Sequence, residues 1–212
     1  MVTGCIFCDP KLDRGRRLYE TDNFFVNVGV GVAAPGHVML IPKAHCDCYA
    51  EMPAGLRPEF LELKKFVFGK VRDAFGAPFM VEYGILQQSV RHAHLHFIPK
   101  ERPATEFFCG YKIDSLLEAM GISGVLAGQP ATWENAAGMR QANGGYIYLE
   151  DGDPRLFAEF PEGFNPKNLS YRDLLSRRMG VADIPAFWQE MTENDRQVDA
   201  IKRKITAERL KF

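Results

Sequence analysis

Apolar and polar residues alternate in short runs through the first half of the chain, and the clearest run is 92–97, where Ala93, Leu95 and Phe97 alternate with His92, His94 and His96. A period of two predicts a β-strand with the three imidazoles in one row and the apolar residues in the opposite layer. Residues 24–28 and 37–41 read as two more strands, joined by a turn-rich link over 29–36 that contains Pro35, and Pro42 ends the second. The period becomes helical from Arg57 to Phe75, where Phe60, Leu63, Val67 and Val71 form a stripe and Lys64, Lys65, Lys70 and Arg72 occupy the rest; Gly76 and Pro78 stop it. Residues 79–86 read as a further strand that leads by a short link into the histidine row. The predicted unit is a meander packed on one helix, complete near residue 105.

Beyond that point the pattern predicts a short helix over 112–120, a Gly- and Ala-rich stretch over 121–145, and a hairpin of 146–149 with 156–160 turning at Asp151-Gly152-Asp153. Two helices follow, one over 170–180 between Ser170 and Gly180, the other over 185–209 with Phe187, Met191, Val198, Ile201 and Ile205 on one side. The fold class is α+β. Residues 1–105 form the unit bearing the histidines, and residues 106–212 an extension packed on it. Trp133, Tyr146, Tyr148 and Trp188 either line a pocket or pack that second layer, the latter being the expectation, with Arg172, Arg177 and Arg178 as a solvated helix face and Cys109 as a buried small hydrophobe.

The 26 basic and 27 acidic residues nearly cancel, which leaves no broad basic field for a nucleic-acid polymer but suits single nucleotides and small anions. No apolar run has the roughly 18 to 20 residues needed to cross a bilayer, and the N-terminus lacks a basic segment followed by an apolar one. A cytoplasmic location with no membrane partner is expected. Cys5-Ile6-Phe7-Cys8, in a chain with an odd total of five cysteines, suits a metal better than a disulfide framework, given two further N or S ligands.

Three of the five histidines of the chain lie in one row. A neutral imidazole attacks phosphorus and leaves again once water attacks the adduct. His94, in the middle, is the candidate nucleophile, with His92 and His96 placed to hold phosphate oxygens and fix its tautomer. Upstream, Ser89 is a candidate to protonate the departing group and Gln88 to orient an ester or phosphoryl oxygen.

The segments Pro35-Gly36-His37-Val38-Met39-Leu40-Ile41-Pro42-Lys43-Ala44-His45 and Gln88-Ser89-Val90-Arg91-His92-Ala93-His94-Leu95-His96-Phe97 together resemble the histidine triad superfamily of nucleotide hydrolases and transferases, over about residues 3–102. The resemblance implies a five-stranded antiparallel sheet, a covalent nucleotidyl intermediate on His94, supporting roles for His92 and His96, and Ser89 beside the leaving group. It implies as substrate a nucleoside phosphoramidate, dinucleoside polyphosphate or nucleotide conjugate, no organic cofactor, and pairing into a homodimer. Relatives hold a structural zinc with two Cys and two His, which at matching positions here are Cys5, Cys8, His45 and His92; Cys46 and Cys48 are alternatives. Such a site with two thiolates is closed and structural rather than hydrolytic.

Two departures bear on substrate choice. Gly29 stands where many members carry a ribose-binding acid, a role Asn27 takes in part if it faces the pocket, and Val81-Glu82-Tyr83-Gly84 differs from the Asn-Glu-Gly sequence of the best-known branch. His37 is read as structural. The readings left open are hydrolysis, transfer of the nucleotidyl group to phosphate or a sugar phosphate, and slow-turnover nucleotide sensing. Retention of His96, which the uridylyltransferase branch replaces by Gln, favours hydrolysis.

Overall fold

The computed structural model describes residues 4–9, 15–29, 31–32, 34–86, 88–99, 129–151, 153–157 and 191–212. The helices expected over 112–120 and 170–180, with Cys109, Trp188 and the three arginines of the second helix, lie outside them.

Five strands of the first half, β1 (Arg17–Glu20), β2 (Phe24–Asn27), β3 (Val38–Pro42), β4 (Pro78–Glu82) and β5 (Leu95–Pro99), form an antiparallel sheet in the order β1-β2-β3-β5-β4. The sheet is therefore not the expected meander, because β5 inserts between β3 and β4. The crossing is made by helix α1 (Arg57–Phe75), which carries the chain past the open edge of β3. The helix lays Phe60, Leu63, Val67 and Val71 on Phe24, Val26, Val38, Leu40, Leu95 and Phe97 from one face of the sheet. Glu59 in its first turn accepts hydrogen bonds from Thr21 Oγ1 at 2.6 Å and Asn23 Nδ2 at 2.7 Å, which ties the β1–β2 turn to the helix start.

The sheet continues past residue 105. Strand β7 (Ile147–Asp151) pairs with β4, and β8 (Asp153–Phe157) and the short β6 (Gln129–Pro130) follow it outward, so that eight strands run β1-β2-β3-β5-β4-β7-β8-β6. A hairpin is present where one was expected, but it pairs 147–151 with 153–157 rather than 146–149 with 156–160, of which 158–160 lie outside the described residues. The Gly- and Ala-rich stretch contains an unexpected helix, α2 (Trp133–Asn143), because Thr132 caps it through Asn135 N and Gly144 ends it in the left-handed region at φ 77°.

Three further expectations are corrected. The strand expected over 79–86 stops at Glu82, because Gly84 and Ile85 turn out of the strand with φ of 43° and 86°. A Cβ at Gly84 would meet the Tyr146 carbonyl oxygen at 2.4 Å, so only glycine lets the two segments approach. The histidine strand starts at Leu95, leaving His92 and His94 before it: the partner β3 ends at Pro42, which has no N–H to give, and Ala93 N donates to Cys46 O instead. The last helix, α3 (Glu193–Arg209), begins at a Thr192–Asp195 capping box rather than at 185, with Met191 ahead of it.

The buried face of α3 is only partly the predicted one: Met191 is buried and Ile205 packs on the core as expected, Phe187 lies outside the described residues, and Val198 and Ile201 face outward. Asp199, Lys202 and Thr206 are buried, whereas Val198 and Ile201 are 40% and 60% exposed. The buried groups bond to the β2–β3 link. Asp199 accepts from Val32 N at 2.8 Å, Lys202 donates to Val32 O at 3.3 Å, and Thr206 Oγ1 accepts from Gly36 N at 2.8 Å. A loop offering unpaired backbone groups selects polar partners over apolar ones.

Candidate active site

Registered pairs place Asn27, Met39, His96 and Val81 in one row across β2, β3, β5 and β4, on the face of the sheet away from α1. Although only His96 lies within a strand, the alternation survives: Ala93, Leu95 and Phe97 enter the helix-side core, and His92, His94 and His96 are all buried on the other side. The His94 and His96 ring centres are 4.8 Å apart, and Phe7 sets its edge against His92 and His94.

A carbonyl partner sets the tautomer of two of the three imidazoles, His92 and His94. His94 Nδ1 lies 2.6 Å from the His92 carbonyl oxygen. A carbonyl only accepts, so Nδ1 carries the hydrogen, and in the neutral ring the lone pair is on Nε2. His92 Nε2 donates in the same way to Pro42 O at 2.8 Å, which leaves its Nδ1 bare. Burial pushes His92 below the usual imidazole range, keeping it neutral. His96 Nδ1 meets His37 Nε2 at 2.9 Å. His37 is thus a neighbour of the row, a role missed in sequence because it depends on the pairing of β3 with β5 rather than on any pattern within one strand.

The bare Nδ1 of His92 faces Cys5 Sγ at 3.4 Å, Cys8 Sγ at 3.5 Å and His45 Nδ1 at 3.2 Å. The four ligand atoms lie within 4.8 Å of one another. Cys5 and Cys8 are brought together by a tight turn in which Cys8 N and Asp9 N both donate to Cys5 O. Asp47 Oδ1 sits 3.6 Å from His45 Nε2, the nitrogen turned away from the cluster. Two thiols and two imidazole nitrogens converging in this way are the donor set of a closed tetrahedral site. Cys46 and Cys48 are buried in apolar clusters elsewhere, and burial pushes both thiols up to about 12.

The remaining candidates are placed as follows. Ser89 is exposed on the bend before the row, and Gln88 is half-buried with Nε2 donating to Asp47 O at 2.8 Å. Asn27 is buried on the histidine face. A Cβ at Gly29 would meet Met39 Cε at 2.7 Å, so the absent acidic side chain would have to displace Met39. Glu82 lies on the helix side of the sheet, accepting from Tyr49 N and the Tyr146 hydroxyl, both at 2.7 Å.

Residues 13–103 match the family model described as HIT domain. The chain is 28% identical over 123 residues to the adenosine 5'-monophosphoramidase HNT1 of Candida albicans, covering 52% of this chain and 80% of that one. It is 28% identical over 104 residues to Protein hit of Bacillus subtilis, covering 45% and 70%. Among solved structures it is similar to a hypothetical histidine triad nucleotide-binding protein from Sulfolobus tokodaii, at 26% identity and a TM-score of 0.44, covering 51% and 77%.

Proposed function

Residues 13–103 of this chain belong to the histidine triad superfamily, and from that membership we propose that the protein is a nucleotide hydrolase in which His94 carries the nucleotidyl group. Nε2 of His94 attacks the phosphorus of a nucleoside phosphoramidate or related conjugate, and the bond from phosphorus to the leaving group breaks. Ser89 passes a proton to that group. Water then attacks the adduct and gives a proton back to Ser89, the bond from phosphorus to Nε2 breaks, and the nucleoside monophosphate and the neutral imidazole are released. The observation that carries this reading is the 2.6 Å contact of His94 Nδ1 with the His92 carbonyl, which puts the hydrogen of the neutral ring on Nδ1 and the lone pair on Nε2. The His37–His96 pair beside it supports a donor to the phosphoryl oxygens, and the position of Asn27 in the same cross-strand row supports a contact to the nucleoside.

Adenosine 5'-phosphoramidate, the substrate type named for the Candida relative, is the first compound to test. Wild type is expected to release AMP, and His94→Ala to lose on the order of a thousandfold or more of the rate. Equal release by the two proteins would overturn the reading. Product formed only when phosphate or a sugar phosphate is added would instead mark a transferase.

Cys5, Cys8, His45 and His92 are proposed as ligands of a structural zinc ion. Zinc there would fasten the N-terminal turn to the segment that begins β5, giving His92 an anchoring role and leaving the chemistry to His94.

A further inference from the structure

On the face of the sheet opposite the histidines, α1, α2 and the β7–β8 hairpin enclose a cleft of about 250 Å³. Its walls include the rings of Tyr49, Phe60, Trp133, Tyr146 and Tyr148, and Leu95 closes it toward the sheet. We propose that this cleft binds a small planar aromatic cation, held by the Glu82 carboxylate and stacked among these rings.

Two charged residues line the cleft, Lys64 and Glu82. The lysine is already neutralised, since its ammonium pairs with Glu150 and donates to the Tyr148 hydroxyl at 2.7 Å. Glu82 has no such partner: among the described residues no ammonium or guanidinium pairs with it, and its bonds are the neutral ones from Tyr49 N and Tyr146 O–H. Each uses one oxygen, and an ionised carboxylate has about four acceptor positions, so each oxygen retains one. A forked donor such as an amidinium satisfies two acceptors of one carboxylate at once.

The walls select the same chemistry. Glu51, the other charge acting on Glu82, is also acidic, but it stands outside the lining of the cleft and is paired with Arg140, so Glu82 is the one acidic group of the lining. Burial holds the Glu82 carboxyl up at about 7, and a cation beside it would favour the ionised form. Aromatic faces attract cations as well as rings, and the Trp133 indole already has the Arg57 guanidinium 4.6 Å from its ring centre. The volume falls just below the roughly 300 to 1,000 Å³ of sites for drug-sized ligands, which limits the occupant to about one ring system.

Benzamidine has this shape and charge, and benzamide has the shape alone. Titrated calorimetrically into the full chain at pH 8, benzamidine is expected to bind with one equivalent and at least tenfold more tightly than benzamide. Glu82→Gln should bring the two within about twofold, and Ala136→Leu, which fills the cleft from α2, should weaken benzamidine more than tenfold. Circular dichroism melts of both variants establish that they fold, and if Glu82→Gln does not, Ala136→Leu decides alone. No benzamidine binding, equal affinity for the two probes, or binding indifferent to Ala136→Leu would each overturn the proposal.

Discussion

At the residue scale, single hydrogen bonds decide which nitrogen does what. His92 and His94 are two residues apart and chemically identical, yet a carbonyl holds Nε2 of the first and Nδ1 of the second. One ring therefore turns its Nδ1 to two thiols, while the other uses its Nδ1 on a carbonyl and carries its lone pair on Nε2. The sequence spacing identified the row but not this division, because it depends on where the carbonyls of Pro42 and His92 point. Glu82 has a measurable signature of its own. Burial raises its carboxyl from 4.5 to about 7, so the folded state retains a proton that the unfolded chain loses first. The associated stability is fully present below pH 4.5 and lost as pH rises through 7, amounting to roughly 3 kcal/mol. Denaturant melts from pH 4.5 to 8 should show wild type falling relative to Glu82→Gln by that order; parallel pH profiles would rule it out.

At the element scale, α3 shows where patterning fails. Apolar residues at helical spacing marked Val198 and Ile201 as its inner face, but the helix docks on a loop with open backbone groups, and Asp199, Lys202 and Thr206 answer them. The energetic ranking is correspondingly inverted. Asp199→Ala strands a buried Val32 N–H and should cost about 2 to 3 kcal/mol in denaturant unfolding, whereas Ile201→Glu should stay within about 0.5 kcal/mol. The reverse order would refute the docking. Helix α1 was legible residue for residue because it packs on a hydrophobic sheet, where the stripe and the stop at Gly76 leave one solution. Helix α2 was not, since its signal is a capping threonine amid alanines and glycines, with Ala136 its one buried residue.

At the scale of the whole molecule, the strands of the first half could be read from their own residues, but their order could not. The placement of β5 between β3 and β4 rests, on its β3 side, on pairings of residues more than fifty positions apart, such as Met39 with His96. The same long range separates Cys5 and Cys8 from His92, so their convergence ties the start of the chain to the segment that begins β5. If zinc occupies that point, chelation should lower the melting temperature by at least about 5 °C and zinc should restore it, while Cys5→Ser should respond to neither. An unchanged melt in wild type would argue against the metal. Among the described residues no helix is long and apolar enough to cross a membrane. Because the hairpin β7–β8 occupies the outer margin of β4, that margin offers a neighbouring molecule no template for strand addition. The terminal positions left are the two-residue β6 and the four-residue β1, the latter interrupted between Arg17 and Tyr19 and guarded by an Arg17–Glu20 ion pair. With β7 and β8 in place, two copies of this chain cannot fuse their sheets through β4, and among the described residues the two blunted rims are what is left for one sheet to extend another.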